Sequence, residues 1–527
     1  MAKSSGAQRE SEGVVVPTMG RQQNLSGGKG PHFGHARANG TGAGMVRSSG
    51  PNHPAGIAPS DNVRRLQRAL FVAAKRQPGR RFHALFDRIC RPDILQEAWQ
   101  RVRRNHGAAG VDSVTLAVAE GYGIARLLEE LADELRSGRY RPSPVLRRQI
   151  PKPAGGMRPL GIPTVKDRIA QMAAKLVLEP IFEADFCRSS YGYRPKRSAV
   201  HALEAIREAA NDGAEYVLDA DLADFFGSLD HECLMVLVAT RISDRKVLKL
   251  IRRWLGAGVL VNGQLRETVA GVPQGGVISP LLANIYLHRL DLVWERRCAQ
   301  LGTLVRYADD FVVLTRSPEA LAEAERRVRV ILDRLRLQLH PEKTRTLQLS
   351  HGQAGFEFLG HYLRKRVSGK LLVRGYRRYY LQRWPSPRSM RRVRRRVHEL
   401  TDPRASGVKD VRVLIERLNP VLRGWGEYFR SGNAARKFLD IDRYVSTRLR
   451  RFLVRRAGRN LRAGRAAQWT QEWFWGQGLH RLRGTVRYPK PSVLHEKAIA
   501  KPDAGTPHVR FERGSVETGR LRAIPRH

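Results

Sequence analysis

The chain has 527 residues, with 95 Lys and Arg against 49 Asp and Glu, a formal charge of +46. Apolar residues make up 42% of it, enough to build real cores over roughly three domains and too many for global disorder. An excess charge of this size repels itself unless a polyanion neutralises it. Nucleic acid is the leading candidate, because bound Lys and Arg release condensed counterions, and an anionic membrane surface is the weaker one.

No run approaches the ~18–20 consecutive apolar residues of a membrane span. The opening residues lack the apolar centre of a signal peptide. Cys90, Cys187, Cys233 and Cys298 form no C-x-x-C pair, which argues against a cysteine zinc site and a disulfide framework. A reducing, cytoplasmic setting without a membrane is expected.

Residues 1–60 are rich in Gly, Ser, Pro and Asn and read as a flexible tail. From Ser60, the spacing of Val63, Leu66, Leu70 and Ala73 predicts a helix that Gln77-Pro78-Gly79 stops. A second helix is predicted over Ile94–Arg104, then a turn at 105–110. From there to about 360 helical patterns alternate with short β-rich runs, as in α/β proteins. Residues 361–400 hold 14 Lys and Arg and a single acid, Glu399. Within them Met390, Val393, Val397 and Leu400 form an apolar stripe flanked by Arg391, Arg392, Arg394, Arg395 and Arg396. So dense a basic face reads as phosphate-binding rather than merely solvated. Val411–Arg456 is helical in pattern throughout.

Three segments carry chemistry. In 215–222 a β-rich run ends in acids, and Asp219 and Asp221, two apart, share a strand face. In 303–314 two apolar strands flank Tyr307-Ala308-Asp309-Asp310, a hairpin pattern whose adjacent acids call for solvent or a cation. In 271–280 a Gly- and Pro-rich loop with Gln274 opens a helix over Leu281–Leu290, and its small residues permit a ligand's close approach. Each alone is weak. Together they fit carboxylates holding two Mg²⁺ ions, hard cations that favour oxygen. Such ions, about 3.5–4 Å apart, stabilise attacking and leaving oxygens in phosphoryl transfer.

At this point the chain resembles the bacterial group II intron-encoded reverse transcriptases and maturases, over about Trp99 to Pro489. The strings that carry the resemblance are Asn105 to Asp112, Ile150-Pro151-Lys152-Pro153, Arg158 to Pro163, Ser190 to Pro195, Asp221 to His231, Gly271 to Leu287, Tyr307 to Asp310, Phe358-Leu359-Gly360 and Leu418 to Phe429. The resemblance implies a right-hand polymerase with α/β fingers and palm, an all-α thumb or maturase domain, and a small basic C-terminal extension. Its implied bounds are an N-terminal extension and fingers at 61–212, a palm at 213–365 with a fingers/palm segment at 235–280, a thumb at 386–470, and a basic DNA-binding-like region at 471–527.

It further implies that Asp221, Asp309 and Asp310 bind two Mg²⁺. Lys152, Arg158 and Gln274 would contact the dNTP, and Phe226 would be the steric gate against a ribose 2′-hydroxyl. Lys343 is a candidate general acid for the leaving pyrophosphate, Phe358-Leu359-Gly360 the primer grip, and the arginine-faced helix with Arg423 the RNA-binding surface. The implied activity is RNA-directed DNA synthesis with intron splicing and mobility by target-primed reverse transcription. The implied partners are intron RNA, an RNA template with a DNA primer, target DNA and dNTPs. Two departures stand out. The acid usual six residues after the first Asp is replaced by Gly227, and there is no Cys after Cys298, so a form without the HNH nuclease is expected. Two rivals are another bacterial reverse transcriptase, retron or CRISPR-associated, which the Leu418–Phe429 string opposes, and a splicing factor without polymerase activity, which the three intact aspartates oppose.

Overall fold

A computed structural model describes residues 60–151, 156–261, 263–266, 270–272, 274–402, 408, 410–458, 461 and 464–489. The expected tail, Lys152, Pro273 and the chain beyond 489 lie outside the described residues. One compact unit runs to Tyr488; the next begins at Pro489.

Five helices open the described chain: α1 (Asp61–Arg76), α2 (Phe86–Ile89), α3 (Pro92–Arg104), α4 (Leu116–Tyr122) and α5 (Ile124–Arg136). The hairpin β1 (Val145–Pro151) and β2 (Met157–Ile162) follows, then α6 (Val165–Glu183), α7 (Ala199–Asn211) and β3 (Tyr216–Ala220). Next come α8 (Phe225–Ser228), α9 (His231–Ala239), α10 (Arg245–Leu255), β4 (Val259–Val261), β5 (Gln264–Arg266) and α11 (Ser279–Arg297). The order continues with β6 (Thr303–Tyr307), β7 (Asp310–Thr315), α12 (Pro318–Arg334), β8 (Arg345–Gln348), β9 (Gly355–Phe358), β10 (His361–Val367), α13 (Gly369–Leu372) and β11 (Tyr379–Pro385). Helices α14 (Pro387–Leu400), α15 (Val411–Phe429), α16 (Ala435–Ala457) and α17 (Gln471–Gly476) close it.

Helix α1 starts where the Ser60 side chain accepts a hydrogen bond from the Val63 amide, an N-cap worth about 1 kcal/mol. Its apolar side, with buried Val63, Leu70 and Ala74, packs on α6. Helix α6 is buried on nearly every side. That is how a helix with apolar residues all round must sit. It forms the spine of the largest core, with α3 on another side.

Three small sheets build on this spine. The first has the order β2-β1-β4-β5, with β1 antiparallel to β2 and parallel to β4. The central sheet has the order β6-β7-β3-β8, every pairing antiparallel. Helices α7 and α12 pack against it. The third is β11-β10-β9, also antiparallel. The molecule is thus mixed α/β with several small sheets and many helices.

The C-terminal helices own a separate core of Met390, Val393, Val397, Leu414, Leu418, Phe438, Ile441 and Leu449. The apolar stripe expected on α14 is its buried face, while Arg391, Arg392, Arg394 and Arg395 are exposed and Arg396 is half-buried. The 411–456 segment is not one unbroken helix. It turns at Arg430–Ala434, where Ser431 and Asn433 bond to Arg383 of β11. Residues 471–488 fold onto the same core, with Phe474, Leu479 and Leu482 buried. The Asp442 carboxylate accepts from the Leu482 and Arg483 amides at 3.1 and 2.8 Å, which pins that segment to α16.

Candidate active site

The acid constellation converges at one end of the central sheet. On β3 and β7, Asp219 faces Val312 and Ala220 faces Phe311, where the ladder ends; Asp221 is the next residue after β3 and Asp310 the first of β7. Tyr307 pairs with Asp310, leaving Ala308 and Asp309 as a two-residue turn. Ala308 has φ 59°. A positive φ at the first loop position belongs to the type II′ hairpin turn, and alanine there carries a strain that glycine would escape. Asp221, Asp309 and Asp310 are all buried.

A buried arginine holds the strained turn. Arg306, in the middle of β6, donates from Nη1 to the Ala308 carbonyl at 2.8 Å and to Asn284 Oδ1 at 3.1 Å. Its Nε donates to Asp291 Oδ1 at 2.8 Å, and Nη2 reaches Asp291 Oδ2 and Ser190 Oγ. Both ion-pair partners are fully buried. Asn284 also donates to the Gly192 carbonyl at 2.9 Å. A Cβ on Gly192 would collide with the Ala308 backbone, so the turn at Gly192–Tyr193, next to the Ser190 bridge to Arg306, lies against the Ala308 turn. Sequence reasoning missed Arg306, Asn284 and Asp291. The usable signal was a charge inside an apolar strand and two polar residues, seven apart, among the apolar residues of the helix's buried face.

Asp221 is clasped by the segment after α12. Its carbonyl accepts from the His340 amide at 2.8 Å, and Lys343 Nζ stands 3.1 Å from Asp221 Oδ2. Asp219 lies opposite Arg345 on β8, and Arg345 Nε donates to its Oδ2 at 3.1 Å. Among the described residues no three His, Cys, Asp or Glu side chains form a closed metal cage. The all-carboxylate donor set still suits Mg²⁺, which is held by a few carboxylates together with waters and substrate phosphates.

Of the residues expected to meet the nucleotide, Arg158 and Gln274 come together. Arg158 on β2 donates from Nε to Gln274 Oε1 at 3.0 Å, and the Gly161 amide donates to the Gln274 carbonyl at 2.6 Å. Gly275 has φ 114°, and a Cβ there would strike the Gly161 carbonyl, so only glycine lets this loop lie on β2. On the other side the loop is tied to the Asp221 segment. The Val272 amide donates to the Phe226 carbonyl at 2.8 Å and Gly271 to Leu229 at 2.9 Å. Phe225 and Phe226 are both buried, edge to face with centroids 5.1 Å apart. The Gly227 position is overhung by the Asp224 carboxylate, where a side chain at 227 would otherwise go.

The turn Phe358-Leu359-Gly360-His361 links this sheet region to the C-terminal helices. Phe358 pairs with His361, and Leu359 and Gly360 have φ of 48° and 70°, the signature of a type I′ turn. A leucine in that conformation costs about 1–2 kcal/mol. Its carbonyl accepts from the Tyr428 hydroxyl of α15 at 3.0 Å and lies 3.0 Å from His361 Nδ1. The Gly360 carbonyl accepts from the Ser386 amide at 3.0 Å and the Ser389 hydroxyl at 2.8 Å. Burial, then Tyr307 and Asp310, push the Tyr428 hydroxyl well above its ordinary pKa, so it remains a donor.

Of the arginines expected to face RNA, Arg395 and Arg396 pair with Glu399 at 3.8 and 3.0 Å. Arg394 lies over the Tyr444 ring, and Arg423 is exposed on α15.

Strand-end carboxylates at one end of a sheet, with a Gly-rich loop tied to the segment after Asp221, suit phosphoryl-transfer chemistry. Residues 150–363 match the family described as reverse transcriptase (RNA-dependent DNA polymerase), and residues 390–470 match the group II intron maturase-specific domain. The chain is 38% identical over 343 residues to Protein YkfC of Escherichia coli, covering 58% of this chain and 89% of that protein. It is 31% identical over 353 residues to the group II intron-encoded protein LtrA of Lactococcus lactis, covering 55% of this chain and 58% of that protein. It is 34% identical over 207 residues to an uncharacterized 91 kDa protein in the cob intron of Schizosaccharomyces pombe, covering 39% and 25%.

The chain belongs to the group II intron-encoded reverse transcriptase/maturase family, carrying a reverse-transcriptase catalytic domain and a maturase-specific domain. Reverse transcriptases generally use Mg²⁺. No helix among the described residues is long and apolar enough to cross a membrane.

Proposed function

We propose that the chain extends a DNA primer on an RNA template from dNTPs, and that it binds its own intron RNA to assist splicing and target-primed mobility. In this reading the β2-β1-β4-β5 sheet and its helices are fingers, the central sheet is the palm, and α14 to α16 are the thumb. The basic residues past 470 would contact target DNA, and the protein would work in the bacterial cytoplasm, at the nucleoid when on DNA. The observation that carries the proposal is that buried Asp221, which follows β3, and buried Asp309 and Asp310, at the start of β7, lie at the same end of two antiparallel strands.

Asp221, Asp309 and Asp310 would hold two Mg²⁺, which when bound supply charge stabilisation at the attacking and leaving oxygens of phosphoryl transfer. The buried Arg306 network keeps the Asp309 turn from relaxing. Arg158, joined to Gln274, would orient the triphosphate and the nascent base pair. The Phe226 ring would exclude a 2′-hydroxyl. Lys343, a proton-bearing group beside Asp221, would deliver a proton to the departing pyrophosphate. The exposed arginines of α14 would meet RNA phosphates, which suits shape-based recognition of A-form duplex.

A paired assay tests the reading. Asp309→Asn should abolish primer extension and leave intron binding and assisted splicing nearly intact, because phosphate contacts lie elsewhere. Changing Arg391, Arg392, Arg394 and Arg395 together to Ala should weaken splicing more than extension on a short generic template. Wild-type extension by the Asp309 variant overturns the polymerase site; normal splicing by the arginine variant overturns the division of labour.

A further inference from the structure

Between Glu357 and Glu399 the chain contains no acid. The β10–β11 hairpin falls in that stretch, and the site above does not use its outer face, on which Arg364 donates to the Gly352 carbonyl. The inner face is structural. Leu363 and Leu381 enter a core, Lys365 pairs with Glu215 at 3.0 Å, and Arg383 pairs with Glu204 at 2.6 Å.

Alternation along the strands sends the intervening residues outward. The register then sets Tyr362 beside Trp384, Arg364 beside Gln382 and Arg366 beside Tyr380. Tyr362 and Trp384 have ring centroids 5.6 Å apart, and the Arg366 guanidinium lies 5.3 Å from the Trp384 centroid. The face therefore carries three aromatic rings, Tyr362, Trp384 and Tyr380, beside Arg364, Gln382 and Arg366. On the neighbouring strand the carboxylate of Glu357 sits opposite Tyr362. Burial pushes that carboxyl's pKa up, against Ser386, Arg388, Arg345 and Arg391, which lower it.

The same chemistry continues at the tip. Residues 368–378 are tied by backbone bonds, Ser368 to Arg378, Leu372 to Ser368 and Tyr376 to Leu371, each at 2.9 Å. This built tip nonetheless leaves Val373 90%, Tyr376 66%, Leu372 51% and, at its root, Tyr380 38% exposed. Arg374, Arg377 and Arg378 are exposed and pair with no carboxylate among the described residues. Apolar and aromatic side chains held out on an ordered projection mark an interaction site.

We propose that the outer face and tip of the β10–β11 hairpin form a docking surface for unpaired RNA. Tyr376 and Tyr380 stack on exposed bases, while Arg366, Arg374, Arg377 and Arg378 neutralise the flanking phosphates. Charge complementarity selects a polyanion, since the tip is cationic and has no acid of its own. The exposed rings select unpaired bases over duplex, because a base inside a helix offers no free face to an aromatic side chain. The surface deepens the reading of the chain as an RNA-handling polymerase and rests on it.

The test uses the full chain and two exposed-residue variants, Tyr376→Ala with Tyr380→Ala, and Arg374→Ala with Arg377→Ala and Arg378→Ala. Fluorescence anisotropy is measured against a short unstructured RNA and a blunt RNA duplex across a salt series. Primer extension is measured at saturating primer-template. The aromatic variant should lose about tenfold in single-strand affinity per lost stack and keep its duplex affinity. The arginine variant should flatten the single-strand log–log salt slope by about two, at ~0.7 per neutralised phosphate. Both should retain wild-type extension. Unchanged single-strand affinity in both variants overturns the proposal and assigns the face to some other partner. An equal loss for single strand and duplex overturns stacking. Inactive extension by the unaltered protein would instead remove the polymerase reading on which the surface rests.

Discussion

Lys343 Nζ stands 3.1 Å from Asp221 Oδ2. The ammonium is placed there by the turn after α12, whose His340 amide and Thr344 hydroxyl both bond to the Asp221 carbonyl. The lysine thus pairs with a buried carboxylate oxygen that a metal bound at Asp221 would also need.

The first prediction follows from that competition. Lys343→Met should tighten Mg²⁺ binding, read by calorimetry on the purified protein, because one positive charge no longer occupies Asp221. Attraction at 3–4 Å in a partly wet site is a few kcal/mol before solvation is regained, so a gain of about tenfold in affinity is expected. Single-turnover extension by the same variant should slow. Unchanged Mg²⁺ affinity would show that the pair does not oppose metal entry.

Phe226 provides the second. Its carbonyl is fastened to Val272, so the residue's backbone is fixed from the loop that carries Gln274. Phe226→Val should raise rNTP incorporation relative to dNTP with little change in dNTP rate. The ratio of the two kcat/KM values measures it. Phe225 packs against the same ring. If Phe225→Val moves the ratio and Phe226→Val does not, the gate is the neighbouring residue.

The third concerns the link from α15 to the strained turn at Leu359. Tyr428→Phe keeps the ring and removes the hydroxyl that donates to the Leu359 carbonyl. A lost hydrogen bond of this kind costs about 0.5–1.5 kcal/mol, so the fold should survive. The turn should loosen, raising KM for primer-template several-fold while KM for dNTP stays put. An equal rise in both, or in neither, would deny the turn a role in holding the primer.

His361 supplies a pH dependence. It is wholly buried, and burial together with nearby Arg383 lowers its pKa to about 3 from an ordinary 6.5. The unfolded chain therefore binds a proton between those values that the folded chain refuses. Stability from this residue is present above pH 6.5 and falls as pH drops toward 3, by about 1.4 kcal/mol per unit. His361→Leu should flatten that part of the stability curve, measured by urea unfolding from pH 7 to 4. The slope is the readout, whatever the variant's absolute stability; a slope equal to the parent's would show that another group governs acid sensitivity.

Much of this protein is local in origin. Helix starts such as Ser60 and stops such as Gln77-Pro78-Gly79 depend on capping and on backbone limits of single residues, so they are legible along the chain. The β6–β7 hairpin and the buried stripe of α14 follow from apolar period alone. Ordered motifs also pointed to the family, because chemistry demands particular side chains at particular spacings. Tertiary structure decided the rest. It brought Asp221 and Asp310 to the same end of the paired strands β3 and β7, and Arg158 against Gln274, 116 positions away. It revealed Arg306 as the clamp on the Asp309 turn, and Tyr428 as the donor to Leu359. It broke the long C-terminal helix at Arg430–Ala434, where Ser431 and Asn433 meet Arg383. The physical reason is common to all of these. A buried polar group must find its partner, and that partner is chosen by which elements pack together, a property no window of sequence contains.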